Sequence, residues 1–128
     1  MNEKKNLADF LPNKNQYYFK KFEFQANGVL IKKDQIIECI KTVMDPEIPV
    51  NLYDLGLIYS INVNDNNVII EMTLTNPNCP VASELPANVG KSIEHLEGLK
   101  SILVKLVWDP AWNKNLMSED AKLALDIF

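Results

Sequence analysis

The chain has 128 residues, of which 47% are hydrophobic and 23% are charged, a composition that suits one globular domain with a buried core. The net charge is −4 and all 13 cationic side chains are lysines, so the chain lacks the basic, arginine-bearing surface typical of nucleic-acid binding. No apolar run follows the first residues as in a signal peptide, and none approaches the ~18 residues of a membrane span. We therefore expect a cytoplasmic protein with no membrane partner.

Residues 1–33 are predicted to be an N-terminal extension, partly extended or flexible, ahead of a domain at 34–128. Met1–Asn15 is rich in Asn and Lys, which indicates a loose arm. Five aromatic side chains then occur between Tyr17 and Phe24, in a pattern that favours extended backbone. We expect these aromatics to lie on the domain's own surface; the alternative is contact with a second copy or another partner.

The first predicted helix begins at Asp34 as N-cap and ends by Asp45, because Pro46 disfavours helical geometry in the residue before it. Cys39 lies at the edge of its apolar face, and we interpret it as a half-buried core cysteine. The apolar face comprises Ile36, Ile37, Ile40 and Val43.

Residues 45–56 form a long loop, stiffened by prolines and carrying the acidic side chains Asp45, Glu47 and Asp54. Rigid loops of this length usually serve a purpose. One interpretation is a crossover whose carboxylates cap backbone groups. The other is the wall of a site, with carboxylates that meet a metal or a lysine of a partner. The spacing alone does not separate the two.

A hairpin follows, with strands at Leu57–Val63 and Val68–Thr75 joined by a turn at Asn64–Asn67. Alternation in the second strand predicts that one set of side chains faces the core, namely Val68, Ile70, Met72 and Leu74.

The next helix is predicted from Val81 to about Leu96, with Pro80 in its first turn and Gly98 ending it. Because Pro86 lies close to this start, a later start near Ser83 is the alternative. Cys79 stands just before this helix, where unpaired amides and the helix dipole favour a thiolate, the form that binds soft metals. The alternative is that Cys79 is a buried, inert side chain, and local sequence does not decide between them. His95, near the end of the helix, is expected to be an exposed surface residue.

A third strand at Lys100–Trp108 and a last helix at Ala121–Ile127, with Ser118 as N-cap, complete the domain. The order helix, strand, strand, helix, strand, helix predicts an α+β fold, a two-layer sandwich with the main helices on one face of a small sheet.

Catalytic motifs are not found. The chain has no glycine-rich phosphate loop, no metalloprotease HExxH and no GxSxG. A Cys79–His95 pair is excluded on one helix, because sixteen residues at 1.5 Å each span ~24 Å. The two cysteines, Cys39 and Cys79, lack a CxxC pairing, and with one histidine they cannot complete a four-ligand zinc or cluster site within one protomer. Any metal would sit at an open site or be shared between chains.

Four stretches in order resemble the SufT-like iron–sulfur cluster assembly family of metal–sulfur cluster biosynthesis proteins, to which PaaD-type oxygenase accessory proteins are related. The stretches are Asp45–Tyr59, Met72–Val81, Leu106–Trp112 and Met117–Phe128. The resemblance implies a cluster-assembly-domain fold and an accessory or carrier role in maturing iron–sulfur proteins, and no enzymatic turnover. PaaD-type members carry an extra C-terminal cysteine cluster that this chain lacks, which argues against an intrinsic zinc site and an oxygenase role.

The resemblance also implies a site. Cys79 carries over as the reactive cysteine and metal ligand, and the remaining site residues are Thr73, Thr75, Asp45, Glu47 and Asp54. The cofactor implied is a labile iron–sulfur cluster or iron, with none tightly bound, and the partners are iron–sulfur assembly proteins and client apoproteins. An edge strand and the aromatic arm are compatible with a homodimer. The alternative function is a metal-free adaptor that docks client apoproteins through the 45–54 loop and Trp112.

Overall fold

The computed structural model of the protein describes residues 17–23, 29–45, 48–75 and 84–125. The elements in chain order are β1 (Tyr17–Lys21), α1 (Lys33–Ile40), β2 (Ile58–Asn64), β3 (Asn67–Met72), α2 (Leu85–Ile93), β4 (Ser101–Leu106) and α3 (Glu119–Ala124). None of the helices in these ranges is long and apolar enough to cross a membrane.

The four strands form one sheet in the order β1-β4-β3-β2. β2 and β3 are antiparallel neighbours, whereas β3 and β4 run parallel, so the chain must cross over between them, and α2 lies in that crossover. α2 packs on β4 and β1, and α1 packs on α2 and β2. This is the predicted two-layer α+β sandwich.

The core lies between the helices and the sheet face that alternation predicts. Val68, Ile70 and Met72 are fully buried, and Leu74 is 3% exposed, which confirms the predicted core face of the second hairpin strand. The matching face of β4 is also buried, with Ile102, Val104 and Leu106. Period-two patterning therefore located the sheet's inner face correctly.

The β2–β3 turn is tight because its two central residues adopt left-handed backbone, with φ of 52° at Asp65 and 63° at Asn66. The buried Asn66 side chain accepts a hydrogen bond from the Ile31 N–H at 3.0 Å. It also donates to the carbonyls of Val29 at 2.6 Å and Gly98 at 3.0 Å. One turn residue thus joins three segments of the chain.

The aromatic stretch supplies an edge strand. β1 pairs antiparallel with β4, so that Tyr18 lies opposite Val104 on the helix-covered face. Its ring lies where α2 has Gly90, and a Cβ at Gly90 would be 2.2 Å from the Tyr18 ring. The Tyr18 hydroxyl donates to Glu94, and the Lys20 ammonium lies 3.3 Å from the same carboxylate. These contacts attach β1 to α2 as well as to the sheet.

Two helix starts differ from prediction. The N-cap of α1 is Lys32 rather than Asp34; Lys32 has extended backbone, and its N–H donates to the Gln35 side chain at 2.8 Å, which moves Asp34 into the first turn. α2 begins at Leu85 rather than Val81, with Pro86 in its first turn. Pro86 can take this place because a first-turn residue needs no intrahelical N–H bond.

Three element ends also differ from prediction. α1 ends at Ile40, and β3 and β4 end at Met72 and Leu106, each shorter than predicted. Ser118 caps α3 as predicted, since its Oγ accepts the Ala121 N–H at 3.1 Å. The predicted loose arm at Met1–Asn15 lies outside the described residues.

Candidate functional site

Those predicted site residues that the structure describes lie around one end of the sheet, where β2 begins and where β3 and β4 end. The Thr73 N–H donates to the Leu57 carbonyl at 2.8 Å, which joins the segment after β3 to the end of the 45–57 loop. The Val107 N–H donates to the Met72 carbonyl at 2.7 Å, which places the segment after β4 beside them.

Asp45 closes a turn at the start of the loop. Its carboxylate accepts the Ile48 N–H at 2.9 Å, its own N–H donates to the Val50 carbonyl at 3.2 Å, and it is 9% exposed. Such bonds from a carboxylate to nearby backbone hold a turn in place. The geometry around Asp45 matches the capping interpretation of the loop.

Asp54 is held by Asn51 at the other end of the loop. The Asn51 side chain accepts the Asp54 N–H and donates to the Asp54 carboxylate, both at 2.9 Å. The Asp54 carbonyl accepts the Ser118 N–H at 2.8 Å, so the N-terminus of α3 is attached to the loop. Asn51 thus holds the carboxylate of the half-buried Asp54, while the Asp54 backbone is joined to an element far away in sequence.

Thr73 is fully buried, and its hydroxyl has no hydrogen-bond partner within the described part of the chain. A buried hydroxyl without a partner costs stability, so such groups are rare and often lie at functional sites. Thr75, half-buried, follows two residues later and is the last described residue before the 76–83 stretch.

Cys79 and Glu47 lie outside the described residues. The described start of α2 bears on the chemistry predicted for Cys79. Because α2 begins at Leu85, six positions beyond Cys79, and Pro86 has no N–H to offer, the helix-terminus argument for a low thiol pKa does not follow from α2. The reactivity of Cys79 stays a prediction that needs its own measurement.

The segment after β4 fastens onto the loop. The Trp112 indole N–H donates to the Leu55 carbonyl at 2.6 Å, and the Tyr59 hydroxyl donates to the Pro110 carbonyl at 2.7 Å. Gly56 has a φ of 83°, and a Cβ there would lie 2.2 Å from the Leu116 carbonyl oxygen. Glycine is therefore required both by the backbone angle and by the close approach. The described parts of the four stretches that carry the family resemblance are therefore joined to one another at this end of the sheet.

Sequence reasoning missed one pairing of reactive groups. The Cys39 Sγ lies 3.8 Å from the His95 Nε2, bridging α1 and the residues after α2. Burial, with a smaller contribution from the charge of Glu38, raises the pKa of the Cys39 thiol. Fifty-six positions separate the two residues, so no local spacing could indicate the contact. No three His, Cys, Asp or Glu side chains group as a metal site in the ranges that the structure describes.

Residues 33–106, from α1 through β4, match the family described as iron–sulfur cluster assembly protein. The chain belongs to this family. The resemblance drawn from the four stretches is therefore confirmed, while β1 and α3 lie outside the matched residues.

Two proteins named as Fe-S protein maturation auxiliary factors are similar to this chain over most of their own length. An Fe-S protein maturation auxiliary factor of Porphyromonas gingivalis is 46% identical over 77% of this chain and 95% of its own. The Fe-S protein maturation auxiliary factor SufT of Staphylococcus aureus is 36% identical over 66% of this chain and 98% of its own.

The fold is shared as well. The crystal structure of a domain of unknown function, DUF59, from Bacillus anthracis matches with a TM-score of 0.70 at 35% identity, covering 75% of this chain and 92% of that one.

Proposed function

We propose that the protein is a cytoplasmic auxiliary factor in the maturation of iron–sulfur proteins, in which the Cys79 thiolate contributes one ligand to a cluster in transit. One observation carries the proposal furthest: the loop with Asp54, the segment with Thr73 and Thr75, and the Trp112 segment adjoin at one end of the sheet. The segment with Thr73 and Thr75 leads to Cys79 in sequence. Family membership and the names of the maturation factors agree with this role.

The number of thiolates decides the kind of binding. Iron–sulfur clusters normally take four cysteine ligands, and this site has one cysteine per chain, Cys79. A second copy, the donor or the client must supply the remaining ligands. The cluster is therefore cargo held briefly, and its weak attachment favours release to a client. Thr73, Thr75 and Asp54 lie at the border of the site. The role of the site is to present the thiolate and not to turn over a substrate.

The first test replaces the thiol. We expect Cys79→Ser to fold with unchanged thermal stability but to lose maturation of client iron–sulfur enzymes, because a serine hydroxyl is a poor ligand for soft metals. Cys39→Ser is the matched control and should mature clients normally. Normal client activity with Cys79→Ser would show that the thiolate has no part in the function.

A second test separates cargo binding from the metal-free adaptor alternative. Anaerobic reconstitution with ferrous iron and sulfide should give a visible absorbance that Cys79→Ser lacks and Cys39→Ser retains. If client maturation needs the protein and no cysteine-dependent absorbance develops, the adaptor is the correct description.

The half-buried Trp112 donates a hydrogen bond to the Leu55 carbonyl, which makes it an anchor of the loop more than an exposed docking residue for the adaptor alternative.

A further inference from the structure

A cavity of about 260 Å³ opens between α3 and the 45–56 loop, with Met44 just before the loop also lining it. It adjoins the site but does not depend on Cys79. Its position follows from the contact between the Ser118 N–H and the Asp54 carbonyl, which draws the short C-terminal helix against the loop. Both walls are therefore attached to one another by backbone hydrogen bonding.

The walls are mostly apolar. Met44, Pro49 and Val50 line one side and Ala121 lines the other. Val50 and Ala121 are buried at 6% and 3% exposure, whereas Met44 is 53% exposed at the mouth. Small-molecule pockets usually run from ~300 to 1,000 Å³, so this cavity falls below that range and suits one side chain.

Two acidic residues, Asp54 and Asp120, also line the cavity, and none of the lining residues that the structure describes is cationic. Their combined charge exceeds the roughly half unit of positive charge at a helix N-terminus, even beside the first turn of α3. An apolar cavity with anionic groups matches one kind of side chain, namely one that has an alkyl stem and a cationic head.

We propose that this cavity receives a lysine or arginine side chain of a partner protein. The stem packs on Met44 and Val50, and the head meets Asp54 and Asp120. A second copy of this chain is the less suitable occupant, because two chains of net charge −4 repel one another. The proposal rests on the proposed function in one respect: the partner is a client or assembly protein brought to the neighbouring site.

The experiment uses the full chain and small probes. The ¹H–¹⁵N spectrum is titrated at low ionic strength with N-acetyl-lysine-N-methylamide and N-acetyl-arginine-N-methylamide. We expect saturable shifts confined to residues 48–54 and 118–124. The uncharged norleucine analogue, which has a similar stem, should bind about fivefold more weakly, the upper range for one exposed charge pair.

Variants assign the contact. Asp54→Asn and Asp120→Asn should each weaken the cationic probes about twofold while leaving the norleucine probe unchanged. The amide oxygen that Asp54→Asn introduces can still accept the bond from the Asn51 side chain, so the loop should keep its shape. Asp34→Asn is the matched control, an exposed acid in the first turn of α1 away from the cavity, and should bind normally.

Three outcomes would overturn the proposal: no saturable shifts, shifts outside the two walls, or equal binding of the norleucine analogue. A dimer that forms in sedimentation and dissociates with Asp120→Asn would identify a second copy as occupant and would also contradict it. Cys79→Ser should bind the probes like the wild type. Loss of client maturation in Cys79→Ser therefore tests the thiolate, and probe binding tests the cavity, independently.

Discussion

At the scale of single residues, the buried Thr73 hydroxyl has a cost that a purely structural residue would avoid. No partner for it lies within the described residues, and its side chain is fully buried. Natural sequences break local rules of this kind mainly where function requires it. Thr73 is bonded to the end of the loop and begins the segment that leads to Cys79, a position that fits a role in the site.

We therefore expect Thr73→Val, which replaces the hydroxyl with a methyl of similar shape, to raise the free energy of unfolding by about 1 kcal/mol. Client maturation by the same variant should fall. Urea denaturation and a client-enzyme assay measure the two effects, and Thr73→Ser, which keeps the hydroxyl, should retain maturation. A valine variant with normal maturation would mean that Thr73 is only a packing residue.

At the scale of elements, β1 depends on the absence of a side chain in α2. A Cβ at Gly90 would lie 2.2 Å from the Tyr18 ring, too close for any real contact. Glycine in a helix interior is otherwise unfavourable by up to ~1 kcal/mol. The lower helix propensity of Gly90 is thus accompanied by the packing of the edge strand against α2.

Gly90→Ala should therefore destabilise the fold by about 1–3 kcal/mol, because the overpacking of Tyr18 outweighs the gain in helix propensity. The Tyr18→Ala background is the control, since without the ring the same substitution should stabilise by up to ~1 kcal/mol. The double-mutant cycle is read from urea denaturation. A stabilising effect of Gly90→Ala in the wild type would show that β1 does not need the space.

The β2–β3 turn is the second element whose residues act at a distance. Asn66→Gly keeps the left-handed backbone but removes three side-chain hydrogen bonds, so we expect a loss of about 2–4 kcal/mol. Asp65→Gly removes only an exposed ion pair with Lys100 and should change stability by less than ~1 kcal/mol. Equal effects of the two substitutions would mean that the Asn66 bonds contribute little.

At the scale of the whole molecule, local pattern predicted the hairpin, the core faces and the two-layer fold, because each depends on the period of its own segment. Pattern could not predict that β1 pairs with β4 or that Cys39 meets His95, since these contacts join segments far apart in sequence. The predicted start of α2 at Val81 was wrong because Pro80 and Pro86 suit a first turn equally well. The 45–57 loop was identified, whereas its attachment to α3 emerged only in three dimensions.

The attachment of β1 also makes overall stability depend on alkaline pH. Burial, together with the hydrogen bond to Glu94, raises the pKa of Tyr18 to about 12 from its ordinary 10.0. A raised pKa means that the folded state holds the proton more tightly, so this stabilisation is complete below pH 10 and is lost as the pH rises towards 12. The difference in unfolding free energy between the wild type and Tyr18→Phe should therefore shrink across that range, measured by urea denaturation at each pH. Tyr17→Phe, one residue earlier on β1, serves as the control for the loss of a phenol. If the difference in unfolding free energy between the wild type and Tyr18→Phe stays constant from pH 9 to 12, the Tyr18–Glu94 contact does not hold the edge strand to α2.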